Sequence, residues 1–148
     1  MKPFFACAML LAIVASSFKS TAQITSRPTL FDSYSDIINC ANSELEKAFT
    51  ATEGNSILLS FSNNIHFNGL VSSATQRYNN LKSVVIKLNS LQGAILAISK
   101  RINDDNSISY VGRIINERFA DGYELKKDIN GNYFLNKINT DDLLQEHE

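Results

Sequence analysis

The chain reads as an α+β fold, an N-terminal amphipathic helix packed on a curved antiparallel β-meander of about seven strands. The alternative layout is a closed up-and-down β-barrel with one helix. Three observations lead there. Apolar residues recur at three- and four-residue spacing up to Ala51 and at two-residue spacing from Asn55 onward. Turn-forming pairs such as Asn79-Asn80, Asp121-Gly122 and Asn130-Gly131 punctuate the alternating part. The links between the alternating runs are too short for parallel crossovers, so consecutive strands must pair antiparallel.

Before these elements stands a different kind of segment. Met1 and Lys2 precede small and apolar residues from Pro3 to Phe18, and Ser20-Thr21-Ala22 gives the small-x-small ending that signal peptidases cut. The apolar run falls short of the ~20 residues that span a bilayer. Residues 1–22 are therefore read as a cleaved signal peptide and residues 23–148 as a single exported α+β domain, periplasmic or extracellular. Cys7 lies within the apolar run, too early for the modified cysteine of a lipoprotein. No Asn-x-Ser/Thr triplet occurs in the remaining chain, which favours a bacterial source over a eukaryotic secreted one. Lys2 and Lys19, two of the 14 basic residues, leave with the signal, while all 15 acidic residues stay. The exported part is then mildly acidic. Nucleic acid and anionic membrane, both bound through basic excess, are not expected partners, and no further segment is apolar enough for a membrane span. Cys40 alone remains of the cysteines, so no internal disulfide is available and packing must hold the fold.

The helix is placed over residues 31 to 51. Asp32 or Ser33 caps it, Asp36 stands three residues beyond Ser33, and Gly54 offers a stop. Tyr34, Ile37, Ile38, Ala41, Leu45, Ala48 and Phe49 fall on one arc of a helical wheel, with Cys40 at its edge as a half-buried structural thiol. Strands follow. Ile57, Leu59 and Phe61 alternate with Leu58 and Ser60, and Ile65 and Phe67 with His66 and Asn68, with Gly69 read as a bulge or bend before Leu70-Val71. Val84, Ile86 and Leu88 define the next strand and the run Ala94 to Ile98 another. Asn103 to Asn106 is a loop, and Ile108, Tyr110 and Ile114 lie on the strand beyond it. One short strand sits between Asp121-Gly122 and the Asn130-Gly131 hairpin turn, and the last runs from Asn132 to Ile138. Thr140-Asp141-Asp142 caps a final helical turn before a polar tail.

Catalytic chemistry finds little support. His147 stands in the tail, and His66 alternates with Ile65 and Phe67 and so faces solvent. No Gly-x-Ser-x-Gly elbow marks an activated serine, and Cys40 lacks any nucleophile signature. Metal motifs of the Cys-x-x-Cys or His-Glu-x-x-His kind are missing, and the run from Asp128 to Asn132 has its glycine too early for an EF-hand. Glycines are scattered at turns rather than gathered into a phosphate cradle, so no cofactor is expected.

One loop stands out for recognition. From Asn116 to Gly122 it is polar and turn-forming but carries Phe119 beside Arg118, with Tyr123 close by; these are residue types enriched in interface anchors. The expected function is a non-enzymatic binding or interaction module for an unknown protein or small-molecule ligand, with Arg118, Phe119 and Tyr123 as its contact residues. A cupped sheet or barrel carrying an apolar small molecule is the alternative. A hydrolase using carboxylates such as Asp104, Asp105 and Asp121 is the second.

Overall fold

From Ser56 to Asn139 the two-residue period of apolar side chains is converted, strand after strand, into one inward-facing and one outward-facing row. The computed structural model describes residues 27–62 and 64–145, so the proposed export segment and His147 lie outside the described residues. The strands are β1 (Ile37–Cys40), β2 (Ser56–Ser62), β3 (Ile65–Tyr78), β4 (Leu81–Leu88), β5 (Ala94–Ile102), β6 (Ile108–Ile115), β7 (Asp121–Lys127) and β8 (Tyr133–Asn139). Two helices accompany them, α1 (Asn42–Thr50) and α2 (Thr140–Gln145). All pairings are antiparallel, in the order β1-β8-β7-β6-β5-β4-β3-β2. The first strand thus pairs with the last and comes round to face β2, giving a nearly closed eight-stranded barrel.

The expected helix over residues 31 to 51 is corrected by this layout. Only its second half is helical, and residues 37–40 form β1. The burial pattern gives the reason: Ile38 and Cys40 point inward while Ile37, at 57% exposure, and Asn39 point outward. A pattern of apolar residues at 34, 37, 38 and 41 satisfies a helical arc and a short strand equally well, and pairing with Tyr133 to Asn136 of β8 decides it. That strand is the eighth. Gly69 is corrected too, since β3 runs through it and its register slips instead between Val71 and Ser73. The position is glycine because an added Cβ would come within 2.7 Å of the Lys87 carbonyl oxygen and the Ile86 side chain.

Inside, Leu59, Phe67, Val71, Val84, Ile86, Leu88, Leu96, Ile114, Tyr123 and Leu135 fill the barrel. One end is plugged by the lead-in before β1. Phe31 packs edge-on against Tyr123 with ring centroids 4.9 Å apart, and the Asp121 carboxylate accepts the amides of Leu30 and Phe31, each at 2.7 Å. Arg27 ties the same lead-in to the other end of the chain, its Nε donating to Asp141 at 2.9 Å. The opposite end is covered by α1, whose Leu45, Ala48 and Phe49 are buried. Phe49 stacks on Tyr110 at 5.9 Å, Lys82 Nζ donates to the Phe49 carbonyl at 2.6 Å, and Glu46 accepts from both Lys100 and the Tyr110 hydroxyl.

Two seams interrupt the ladder. Between β1 and β2 the free edge of β2 is met by α1: the Ser60 amide donates to Glu44 Oε2 at 2.8 Å and Lys47 Nζ donates to the Leu58 carbonyl at 2.5 Å. Between β6 and β7 only Arg113–Glu124 and Ile114–Tyr123 are in register. Beyond them the strands part, and the Tyr110 amide donates to the Tyr133 hydroxyl at 3.1 Å in place of a backbone partner. Tyr133→Phe removes that acceptor without changing the packing, and an unsatisfied buried amide costs about 1–3 kcal/mol. Urea denaturation should show a loss of that size, whereas Ile129→Ser, at a turn position 99% exposed, should leave the midpoint unmoved.

Candidate contact face

The outward rows of β4 to β7 set several apolar side chains toward solvent in register. Each position follows from the pairing: Lys87, Ile95 and Ile115 align across β4, β5 and β6, Val85 aligns with Ala97 and Arg113, and Ser83 with Ser99 and Val111. Val111 is 64% exposed and Tyr78, at the end of β3, 71%. Two adjoining depressions lie along this face, of about 510 and 620 Å3, and both are lined by Ser99 and Val111. The first reaches Tyr78, Leu81 and Arg101; the second reaches Ile95, Ile115 and the β6–β7 seam at Leu125 and Lys126. The groove therefore exists where β7 splays from β6.

Charge on this face is uneven. Glu124 is its one acid among the described residues, and it is engaged by Arg113 at 2.8 Å and by Lys126. Those contacts, Lys126 first and Arg113 next, hold its carboxyl below the usual glutamate range. Glu46, at the helix-covered end, is also lowered: burial works against the charged form, but hydrogen bonds from Lys100 and Tyr110 outweigh it.

The residues singled out from the sequence are dispersed. Arg118 is exposed, its guanidinium 5.9 Å from the Phe119 ring centroid and donating to the Gln92 carbonyl at 3.0 Å. Phe119 is half-buried, and its carbonyl accepts the Thr140 hydroxyl at 3.1 Å. This loop follows directly on Ile115, so it adjoins one end of the groove. Tyr123 does not belong with them: it is fully buried, its hydroxyl donates to the Ser35 carbonyl at 2.6 Å, and burial pushes its pKa up to about 12. Its inward position follows from the alternation of β7, which the proximity of Tyr123 to the loop in sequence obscures.

The carboxylates do not converge. Asp104 and Asp105 are exposed on the β5–β6 turn, where Asp105 accepts from the Ser107 amide and hydroxyl. Asp121 is buried at the far end of β6, about 25 Å away by strand rise. His66 Nδ1 lies 3.0 Å from Ser60 Oγ, but among the described residues no carboxylate hydrogen-bonds to the ring. Among the described residues no group of three or more His, Cys, Asp or Glu is arranged to hold a metal, and no helix is long and apolar enough to cross a membrane. Cys40 is buried on β1 rather than set at a helix edge.

Apolar residues on both faces of one strand were the available signal for the groove. The run Ala94 to Ile98 and the doublets Val84-Val85 and Ile114-Ile115 interrupt the polar row that a strand wet on one side would have. Comparison with protein-family models, curated proteins and solved structures finds no match to this chain.

Two outcomes are expected. Burial, partly offset by the Leu135 amide, pushes the Cys40 thiol from 9.0 up to about 12, so native labelling by a thiol reagent should be far slower than labelling in urea. Glu46 and Glu124 have folded values below their ordinary 4.5, so the unfolded chain binds more protons than the folded one as that range is crossed. Their contribution is complete above pH 4.5 and lost as pH falls through the lowered values, and denaturation midpoints measured down to acid pH should decline there less in Glu46→Gln than in the unaltered protein.

Proposed function

We propose that the protein is a small exported, non-enzymatic binding module of bacterial origin that meets its partner through the outer face of β4 to β7. The observation that carries this reading is where apolar surface is left over. The barrel interior is filled and its ends are covered by Phe31 and by α1, while Val111, Tyr78, Ile115 and their neighbours remain in contact with solvent along one groove. A carrier would need the reverse, an open interior and an ordinary polar outside. Arg118 and Phe119 extend the face at its lower end, where a partner burying the ring gains an aromatic anchor. The export part of the reading rests on residues 1–22 alone.

Intact mass of the protein recovered outside the cytoplasm should give an N-terminus at or near Gln23. A photo-crosslinking residue at Ser99 should trap a partner in the exported fraction, whereas the same group at Asn68, exposed on β3, should not. Val111→Glu should abolish the Ser99 crosslink while stability stays within about 0.5 kcal/mol, as for ordinary surface changes. Equal crosslinking from both positions would remove the face from consideration.

A further inference from the structure

We infer that the groove over β4 to β7 seats an extended, acidic segment of a partner protein, an inference that rests on the contact face proposed above. The first ground is charge. The outward rows of these four strands carry Lys87, Arg101, Arg113 and Lys126 against Glu124, in a chain whose overall formal charge is −1. Glu124 is already shared by Arg113 and Lys126, and among the described residues Lys87 and Arg101 have no acidic partner. A surface that gathers unmatched cations in an acidic protein selects anionic partners and repels another copy of itself.

The second ground is the spacing of those cations. Lys87 is in register with Ile95 and Ile115, and Arg101 is in register with Leu81 and Ser109. Along β5, Ile95 to Arg101 spans about 20 Å at the usual strand rise. Between them lie Ala97, Val111 and Ser99, small or apolar, with Arg113 beside Ala97 and already paired to Glu124. An extended segment of about seven residues fits that length, with a carboxylate near each end and small apolar side chains alternating inward between them.

The third ground is shape. Lipid surfaces are met by side chains that protrude, and the most exposed apolar side chain, Ile129, sits on the β7–β8 turn rather than in this groove. A concave strip with Arg101 in one depression and Arg113 and Lys126 in the other, flanked by Lys87 beside Ile95, suits a chain lying along it instead.

Fluorescence anisotropy with a labelled peptide of about seven residues tests this, with Glu at both ends and Val alternating with Ser between. The same peptide ended by Lys serves as control. The Glu-ended peptide should bind the intact protein at least about tenfold more tightly, and its affinity should fall several-fold between about 0.05 and 0.3 M salt. Lys87→Glu and Arg101→Glu should each weaken it by about tenfold. Val111→Glu should abolish it, with unchanged circular dichroism in all three variants. Equal affinity for both peptides, or affinity indifferent to Lys87→Glu and Arg101→Glu, overturns the inference. So does tighter binding of phosphatidylglycerol vesicles or of a single-stranded oligonucleotide, or a dimer in solution that Val111→Glu dissociates. The two proposals fail differently. If Val111→Glu abolishes the Ser99 crosslink while the charge reversals leave it intact, the face stands and the acidic segment falls; if Val111→Glu leaves the crosslink intact, both fall.

Discussion

Everything in this molecule depends on closing a ring of eight strands that does not share a continuous ladder. Between β1 and β2, and between β6 and β7, backbone partners run out, and side chains take their place. A bare strand edge invites pairing with another chain, and charged groups set against it are the usual protection. Here Glu44 and Lys47, one turn apart on α1, engage the amide of Ser60 and the carbonyl of Leu58, which are alternate residues of the β2 edge. That match between a helical repeat and a strand repeat requires α1 to lie beside β2. Lys82 at its last turn and Glu46 between Lys100 and Tyr110 then fix it across the barrel end.

Aromatic residues carry the closure inward. Tyr110 receives Phe49 from the helix and Tyr133 from β8, with ring centroids 5.9 and 5.2 Å away, and its own amide is satisfied by the Tyr133 hydroxyl. At the other end Phe31, Tyr34, Phe67 and Tyr123 interlock. Asp121 belongs to this second cluster. Its buried carboxylate is tolerable because two amides of the lead-in point at it, and removing it would orphan both and release Phe31. A carboxylate with that duty is engaged on both oxygens by the lead-in.

How much of this could be read beforehand varies with how local its cause is. The later strands, the Asn130-Gly131 turn and the outward position of His66 follow from alternation and turn chemistry, both properties of neighbouring residues. β1 was hidden because four residues are too few for periods of 2 and 3.6 to diverge, and its pairing partner lies about a hundred residues downstream. Tyr123 was misplaced because closeness in sequence to an exposed loop says nothing about which face of the next strand a residue occupies. The groove was missed for a similar reason. Apolar runs such as Ala94 to Ile98 signal burial on both faces, and only the topology reveals that, among the described residues, nothing lies over the outer face.

That uncovered face and the β6–β7 seam are linked. A fully paired β6 and β7 would bring Lys126 and Leu125 beside Val111 and Gly112 and leave no depression between them; the splay opens it. Where the ladder is given up, the Tyr133 hydroxyl takes the Tyr110 amide and leaves the strands apart, while the Arg113–Glu124 ion pair reinforces the short register that remains. A ligand lying in the groove would touch β5 and β6 on one side and β7 on the other, bridging the least-paired boundary of the sheet. Binding at such a place acts on the folded form alone, so occupancy and the stability of the seam rise together. The least-paired ladder of the sheet and the groove over β5 to β7 are thus one feature, and that coincidence is the physical support for the proposal that recognition lies there rather than at the charged turns of either end.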